Sequence, residues 1–254
     1  MKTVIIGSGN LATHLSVALL RAGIPVSEVF SPTKVHAEEL AERVGGRALD
    51  SLREVSADAD IVFISVKDDA IATVVDGLHH VCEDAIFIHT AGTVPLTLLS
   101  SKRKNAAVLY PMQTFSKTKE LDFSLIPCFI EATNDHVLAI VREMAEKIST
   151  NVVVADSTVR KKLHLAAVFA CNMVNHCYHL AERILEEEGL DFSVMLPLVR
   201  ETAEKVETLS PREAQTGPMV RNDISVMNAQ KSLLHDPLML RLYDLMTESI
   251  QKSR

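Results

Sequence analysis

The chain has 254 residues, 47% of them hydrophobic, enough to build a sizeable core in one large or two modest domains. Lys and Arg total 26 against 33 Asp and Glu, a formal charge of −7 without a long basic run, which argues against nucleic-acid binding. No apolar stretch is long enough to span a bilayer and no signal-peptide pattern precedes the first strand, so a cytoplasmic protein without membrane partners is expected.

In chain order, short β-branched runs predict strands at Thr3–Ile6, Val26–Phe30, Ile61–Val66, Ala85–His89, Ala107–Tyr110, Cys128–Glu131 and Val152–Val154. Amphipathic segments such as Lys34–Val44 and Asp135–Ile148 lie between them. Near-continuous apolar strands alternating with helices mean a parallel sheet covered on both faces. The pattern changes near Asp156. Ser157 is expected to cap one long helix running to about Glu188, stopped by Gly189. Further helices fit Phe192–Thr208, Ile224–Leu234 and Pro237–Gln251, and "SPREAQTGP" reads as a loop. The expected fold class is α/β: a doubly wound, mostly parallel sheet over residues 1–155, then an all-helical C-terminal domain over 156–254. Cys82, Cys128, Cys171 and Cys177 form no CxxC pair and are expected to be reduced and mostly buried.

The first loop, "GSGNLA", follows a strand and opens a helix. Gly7 allows a tight turn, Gly9 lets the backbone approach a pyrophosphate, and Ala12 permits close helix–strand packing. The helix N-terminus, with Asn10 and Leu11, supplies N–H donors and the positive end of a dipole. A dinucleotide site follows. The second strand ends in "FSPTK", with no acid at its tip to bind a ribose 2′-OH. Ser31, Thr33 and Lys34 instead suit a 2′-phosphate, so NADP is favoured over NAD.

Ligands of such sheets sit at the carboxyl ends of the strands. Three segments fall there. "ISVKDDAI" brings Val66 and Lys67, "IHTAGTVPL" brings Thr90, Ala91 and Gly92, and "LYPMQTF" brings Gln113 and Thr114. The first two groups are assigned to the cofactor, and Gln113 and Thr114 to a small-molecule substrate.

The order GSGNLA, SVKDD, HTAG, YPMQTF and then a helical domain resembles the superfamily of 6-phosphogluconate dehydrogenase-like proteins. That group includes pyrroline-5-carboxylate reductase, the deazaflavin-coenzyme-dependent NADP oxidoreductases and the β-hydroxyacid dehydrogenases. "RKKLHLAAVFACNMVNHCYHLAE" and "PLVRETAEKV…AQTGPMVRND" more closely resemble a bacterial group of Rossmann-like proteins whose helical domain has no settled function. The resemblance covers essentially the whole chain. It implies NAD(P) binding and a homodimer built through the helical domain, and supplies no substrate.

On the helix after Asp156, Lys161, His164, Val168, Asn172, Asn175 and His179 share about a third of the circumference at a 3.6 period. The rest of that helix is apolar, so it is expected to be buried, with the polar stripe facing either a cleft or another helix. In the resembling β-hydroxyacid dehydrogenases a catalytic Lys stands four residues before an Asn. If Asn172 matches that Asn, position 168 is Val168, and the usual acid is missing. His164 becomes the candidate proton donor, with Asn172 and Asn175 beside it, because imidazole titrates near neutral pH. His176, His179 and Glu182 drift around the helix and lack a metal-binding pattern, so no metal is expected. In "EAQTGPMVRND", Thr216 and Gly217 offer a hydroxyl and backbone donor, and Arg221 a guanidinium for a carboxylate. Asp223 can cap the helix that follows.

Two functions from different classes fit. One is an NADP-dependent oxidoreductase passing hydride to or from a small carboxylate-bearing keto, hydroxy or imino substrate. The other is a non-catalytic NAD(P)-binding or sensing protein that keeps the fold without the catalytic lysine.

Overall fold

A computed structural model describes residues 1–253. Eight strands form one sheet in the order β3-β2-β1-β4-β5-β6-β7-β8. They are β1 (Thr3–Ile6), β2 (Val26–Phe30), β3 (Arg47–Leu49), β4 (Ile61–Ile64), β5 (Ile86–His89), β6 (Ala106–Pro111), β7 (Cys128–Ala132) and β8 (Val152–Val154). The helices among them are α1 (Asn10–Arg21), α2 (Lys34–Val44), α3 (Ile71–Gly77), α4 (Thr97–Ser100) and α5 (Asp135–Ile148). All neighbouring strands pair in parallel except β6 with β7, where Leu109 faces Ile130 across an antiparallel ladder.

The alternation of side chains explains the continuous apolar strands. Ile5, Phe63, Ile88 and Leu109 point into one core, with Leu15 and Leu19 of α1 and Val141 of α5. Val4, Ile6, Val62, Ile64 and Phe87 point into the other, with Ile71 and Val75 of α3. Both faces are covered, so most strand positions are apolar.

Strand β3 escapes the sequence pattern because it has three residues and only Leu49 is buried. It is pinned at the sheet edge by Glu28 of β2. This buried carboxylate accepts from Arg47 at 2.8 Å and from the Ser56 backbone at 2.9 Å. Burial pushes its pKa upward, but the hydrogen bonds from Ser56 and Arg47 outweigh that and hold it low. Strand β4 stops at Ile64, two residues before the expected end, which frees Ser65 and Val66 for the cleft described below.

The chain divides into two compact units, Met1–Cys171 and Asn172–Arg254. The helix α6 (Ser157–Ala167) is capped by Asp156 and not by Ser157. The Asp156 carboxylate accepts from Thr158 and Val159 N–H groups, while the Ser157 hydroxyl donates to Glu131. The single long helix is also corrected. A π-helical turn over Val168–Met173 separates α6 from α7 (Val174–Glu187). A π turn takes more residues per turn than an α turn, so each residue advances by a smaller angle and the 3.6-period stripe does not run unbroken through it. Gly189, at φ +67°, follows α7 as a left-handed cap.

The second unit continues with α8 (Leu196–Thr208), α9 (Pro211–Ala214), α10 (Pro218–Arg221), α11 (Ile224–Ser232) and α12 (Pro237–Lys252). The expected loop over residues 210–218 holds the short α9, because Ser210 and Glu213 form a capping box around Pro211. Asp223 caps α11 through Val226 N–H.

Contrary to expectation, the apolar residues of the π turn and its neighbours are exposed: Leu165, Phe169 and Met173 are 57%, 60% and 46% accessible. Three of the four cysteines are likewise exposed, and only Cys128 is buried, where burial pushes its thiol up to about 12. A single chain leaves that helical face uncovered, so the apolar pattern does not produce burial. No helix among the described residues is long and apolar enough to cross a membrane.

Candidate functional site

The loop between β1 and α1 is built around Gly7. Its φ is +115°, and a Cβ there would collide with the carbonyl of Ser65. Its N–H donates to Phe30 O at 2.8 Å, tying the turn to the tip of β2. Gly9 differs. Nothing lies within 4 Å of the space a side chain would fill. It is the N-cap of α1, no side chain caps that helix, and its first turn carries no acidic residue. The leading N–H groups therefore remain available to an anion.

These features open onto a cleft of 860 Å³. Ten residues assigned to the cofactor from the sequence line it: Gly7, Gly9, Asn10 and Leu11 from the turn, Ser31 and Thr33 beyond β2, Val66 and Lys67 beyond β4, and Thr90 and Ala91 beyond β5. Strands β1, β2, β4 and β5 all run the same way and end together, which gathers four separate loops. Several of these side chains also hold the cleft's shape. Ser8 donates to Ser31 across the two loops at 2.8 Å. Thr90 donates to Ser65 at 3.2 Å. The Asn10 amide donates to Phe115 O at 2.8 Å and tethers the loop after β6.

Other sequence candidates lie off this wall. Lys34 does not line the cleft; its ammonium pairs with Asp50 at 2.7 Å, and that carboxylate raises its pKa. His36 and Lys117 line the cleft instead, and the sequence pattern had not marked them. Gln113 and Thr114 are exposed and bonded to each other, the Gln113 carbonyl accepting from Thr114 N–H at 2.8 Å. Asn172, Asn175, Thr216, Gly217 and Arg221 lie in the second unit. There the Asn172, Asn175 and Arg221 side chains are exposed. Gly217 caps α10 with φ +109°, and Thr216 O accepts from the Gln215 amide. No grouping of three or more possible metal ligands occurs among the described residues.

Gly92 sits just past the cleft wall. A Cβ there would lie 2.8 Å from His164 Nδ1 and 3.0 Å from Tyr110 Cζ. The two rings meet edge to face at 6.0 Å, and the Tyr110 hydroxyl shares a 3.1 Å hydrogen bond with His164 Nδ1. Tyr110 was not marked from the sequence; the only signal was a hydroxyl on the last apolar residue of a buried strand. Burial raises its pKa, so the phenol is protonated at neutral pH.

Helix α6 is locked to this loop from within. Arg160 is fully buried and donates to Glu131 of β7 and to Val94 O. The Ser157 hydroxyl accepts from Leu96 N–H at 3.0 Å. Nearby His89, at the end of β5, is fully buried. Burial, with the positive Arg160 beside it, pushes its pKa down to about 3. Its Nδ1 accepts from Ala91 N–H, shaping the cleft wall, and it stays neutral.

Comparison with known proteins places this architecture. A family model described as NADP oxidoreductase, coenzyme F420-dependent, matches residues 2–92, and a domain of unknown function, DUF2520, matches residues 126–250. The crystal structure of a candidate NADP oxidoreductase from Bacteroides fragilis shares 44% identity. It covers 99% of this chain and 98% of its own, with a TM-score of 0.94. The chain belongs to the family of that protein. A Thermotoga maritima protein of known structure shares the fold at 25% identity and TM-score 0.75, over 98% of this chain and 97% of its own. More distantly, an imine reductase from Myxococcus stipitatus, solved with NADP+, matches in fold at 15% identity and TM-score 0.67. That match covers 100% of this chain and 94% of the reductase. No curated protein matches. The glycine turn and the cleft residues up to Ala91 fall within the segment matched by the oxidoreductase model, Lys117 lies between the two matched segments, and His164 falls within the DUF2520 segment.

Proposed function

We propose that the chain is an NADP-dependent oxidoreductase acting on a small, carboxylate-bearing keto, hydroxy or imino substrate. The observation that carries this reading is the cleft itself, where an uncapped helix N-terminus and four strand-end loops converge. The 44% identity to a candidate NADP oxidoreductase supports it. Bound cofactor supplies the hydride. The chain's residues do the rest. Gly9, Asn10 and Leu11 offer N–H groups to the pyrophosphate, and Gly7 sets their turn. Ser31, Thr33 and Lys34 attend the 2′-phosphate, Lys34 once it releases Asp50. Val66, Lys67, Thr90, Ala91 and Gly92 form the wall for the nicotinamide. His164 exchanges the proton that accompanies hydride transfer, with Asn172 and Asn175 as polar partners. Gln113, Thr114, Thr216, Gly217 and Arg221 are assigned to the substrate, Arg221 as a fork for its carboxylate.

In this reading residues 1–155 hold the cofactor and residues 156–254 provide substrate contacts and a homodimer interface. The dimer is supported by the exposed apolar side chains of the second unit, Leu198 and Leu238 at 62% among them.

Titration of the protein with NADPH and NADH, followed by fluorescence, tests the cofactor assignment; NADPH is expected to bind more tightly. A screen of keto and imino acids for NADPH oxidation then tests turnover, which His164→Ala should abolish without changing NADPH affinity. Val168, standing where the resembling dehydrogenases carry lysine, favours a second reading: a protein that binds NADP as a sensor. Tight NADPH binding with no turnover across the screen would select it.

A further inference from the structure

We propose that Tyr110 is the positioning residue of His164, holding the imidazole so that Nε2 faces outward in both of its protonation states. This rests on the assignment of proton exchange to His164. Three observations carry it. The Tyr110 hydroxyl bonds Nδ1 at 3.1 Å. Gly92 leaves no side chain between loop and rings, and any Cβ there would press on Nδ1. Nε2 has no hydrogen-bond partner among the described residues and is not among the buried unpaired atoms, so solvent reaches it.

The neutral ring must choose which nitrogen keeps the proton. The Tyr110 phenol is 8% exposed and its hydroxyl has no other partner than Nδ1 among the described residues. A proton on Nδ1 would leave that buried hydroxyl without an acceptor. A proton on Nε2 satisfies both, since water serves Nε2. The lost hydrogen bond is enough to bias the tautomers by about tenfold. Tyrosine both donates and accepts. When the ring takes a second proton, the phenol turns and accepts from Nδ1–H, and the ring need not flip.

The proton exchange then balances. A bound dinucleotide would supply the hydride; the role of His164 is to give up the Nε2–H proton of its imidazolium as the substrate is reduced. A new bond forms from that hydrogen to the substrate oxygen or nitrogen. The ring is left only transiently in its less favoured neutral form, with Nδ1–H donated to the phenol oxygen, until solvent returns a proton to Nε2. His89 cannot take this role, being sealed from solvent and neutral at working pH. The other charged or titratable groups near the pair are Arg160 and Glu131, engaged with each other, and Cys171.

The test is 15N NMR of the His164 ring in the full-length protein and in Tyr110→Phe, which keeps the aromatic packing. The expected result is a ring almost wholly in the Nε2–H form at alkaline pH, relaxing to the free-imidazole ratio in the variant. Gly92→Ala, by displacing the ring from the phenol, should give the same relaxation. If either variant failed to fold, the remaining one would decide. Identical tautomer ratios in wild type and folded variants would overturn the proposal. The spectra need neither cofactor nor turnover. A shifted ratio in a protein that neither binds NADPH nor turns over would leave the positioning intact and sink the oxidoreductase reading instead. Where turnover is found, Tyr110→Phe should lower kcat by about tenfold and leave NADPH affinity within about twofold.

Discussion

The two units of this chain solve the burial problem in opposite ways. In Met1–Cys171 the sheet divides two cores, and Ile5, Phe63 and Phe87 are fully enclosed. In Asn172–Arg254, among the described residues, only Leu185, Met227 and Met239 are buried hydrophobics, against fifteen exposed large ones. The first unit has the materials to hold itself together, and it places the cleft at the ends of its strands. The second presents apolar surface that only further contacts can cover. Apolar periodicity in a sequence therefore reports a face that needs covering, and not what covers it.

Truncations of the same kind in the two units should separate most widely. Ile5→Ala should cost about 2–5 kcal/mol in denaturant unfolding, because it leaves a cavity between fixed layers. Leu198→Ala, at an exposed position, should change unfolding by less than about 0.5 kcal/mol. It should instead weaken self-association in sedimentation equilibrium. Equal penalties for both would break the comparison.

Within the first unit, the two glycines of one turn should part company. Gly7→Ala meets Ser65 in a left-handed backbone and should destabilise by about 3 kcal/mol. Gly9→Val meets open space, so its melting temperature should stay near wild type while NADPH affinity falls at least about tenfold, since the side chain occupies the ligand's approach.

The buried His89 predicts a pH dependence. Its folded pKa, about 3, lies below the value of about 6.5 expected when unfolded. The unfolded chain therefore binds the proton first, and this contribution to stability is complete above that value and lost as pH falls. The loss should amount to about 1.4 kcal/mol per pH unit between those limits. His89→Asn, which keeps an acceptor for Ala91 N–H, should flatten that slope in urea titrations from pH 7 to pH 5. An unchanged slope would mean that other groups dominate acid unfolding.

The smallest effect is expected at Lys34. Because Asp50 already engages it, Lys34→Ala should reduce the preference for NADPH over NADH only about threefold, the scale of an exposed ion pair. A larger loss would show that the cofactor draws Lys34 away completely.

Much of the first unit could be read before any coordinates. Seven of its strands and the glycine turn depend on neighbours within a few residues, and local pattern reports such features well. The exceptions have physical causes. Strand β3 buries one side chain and leans on Glu28, nineteen residues away from its partner Arg47. Asp156 and Ser157 are both capping residue types, and Glu131, distant in sequence, takes the serine hydroxyl. The π turn departs from α geometry without a residue type that announces it.

By itself, the sequence determined the alternating α/β pattern, the change to helices near Asp156, and a tight glycine turn between the first strand and helix. Those follow from side-chain period and backbone sterics, which act over a few residues. Tertiary structure alone decided that Lys34 turns to Asp50, that His89 is neutral, and that Tyr110 meets His164 across fifty-four positions of chain over the gap at Gly92. Hydrogen bonds and desolvation depend on which groups are brought within a few ångströms, and chain separation carries no information about that.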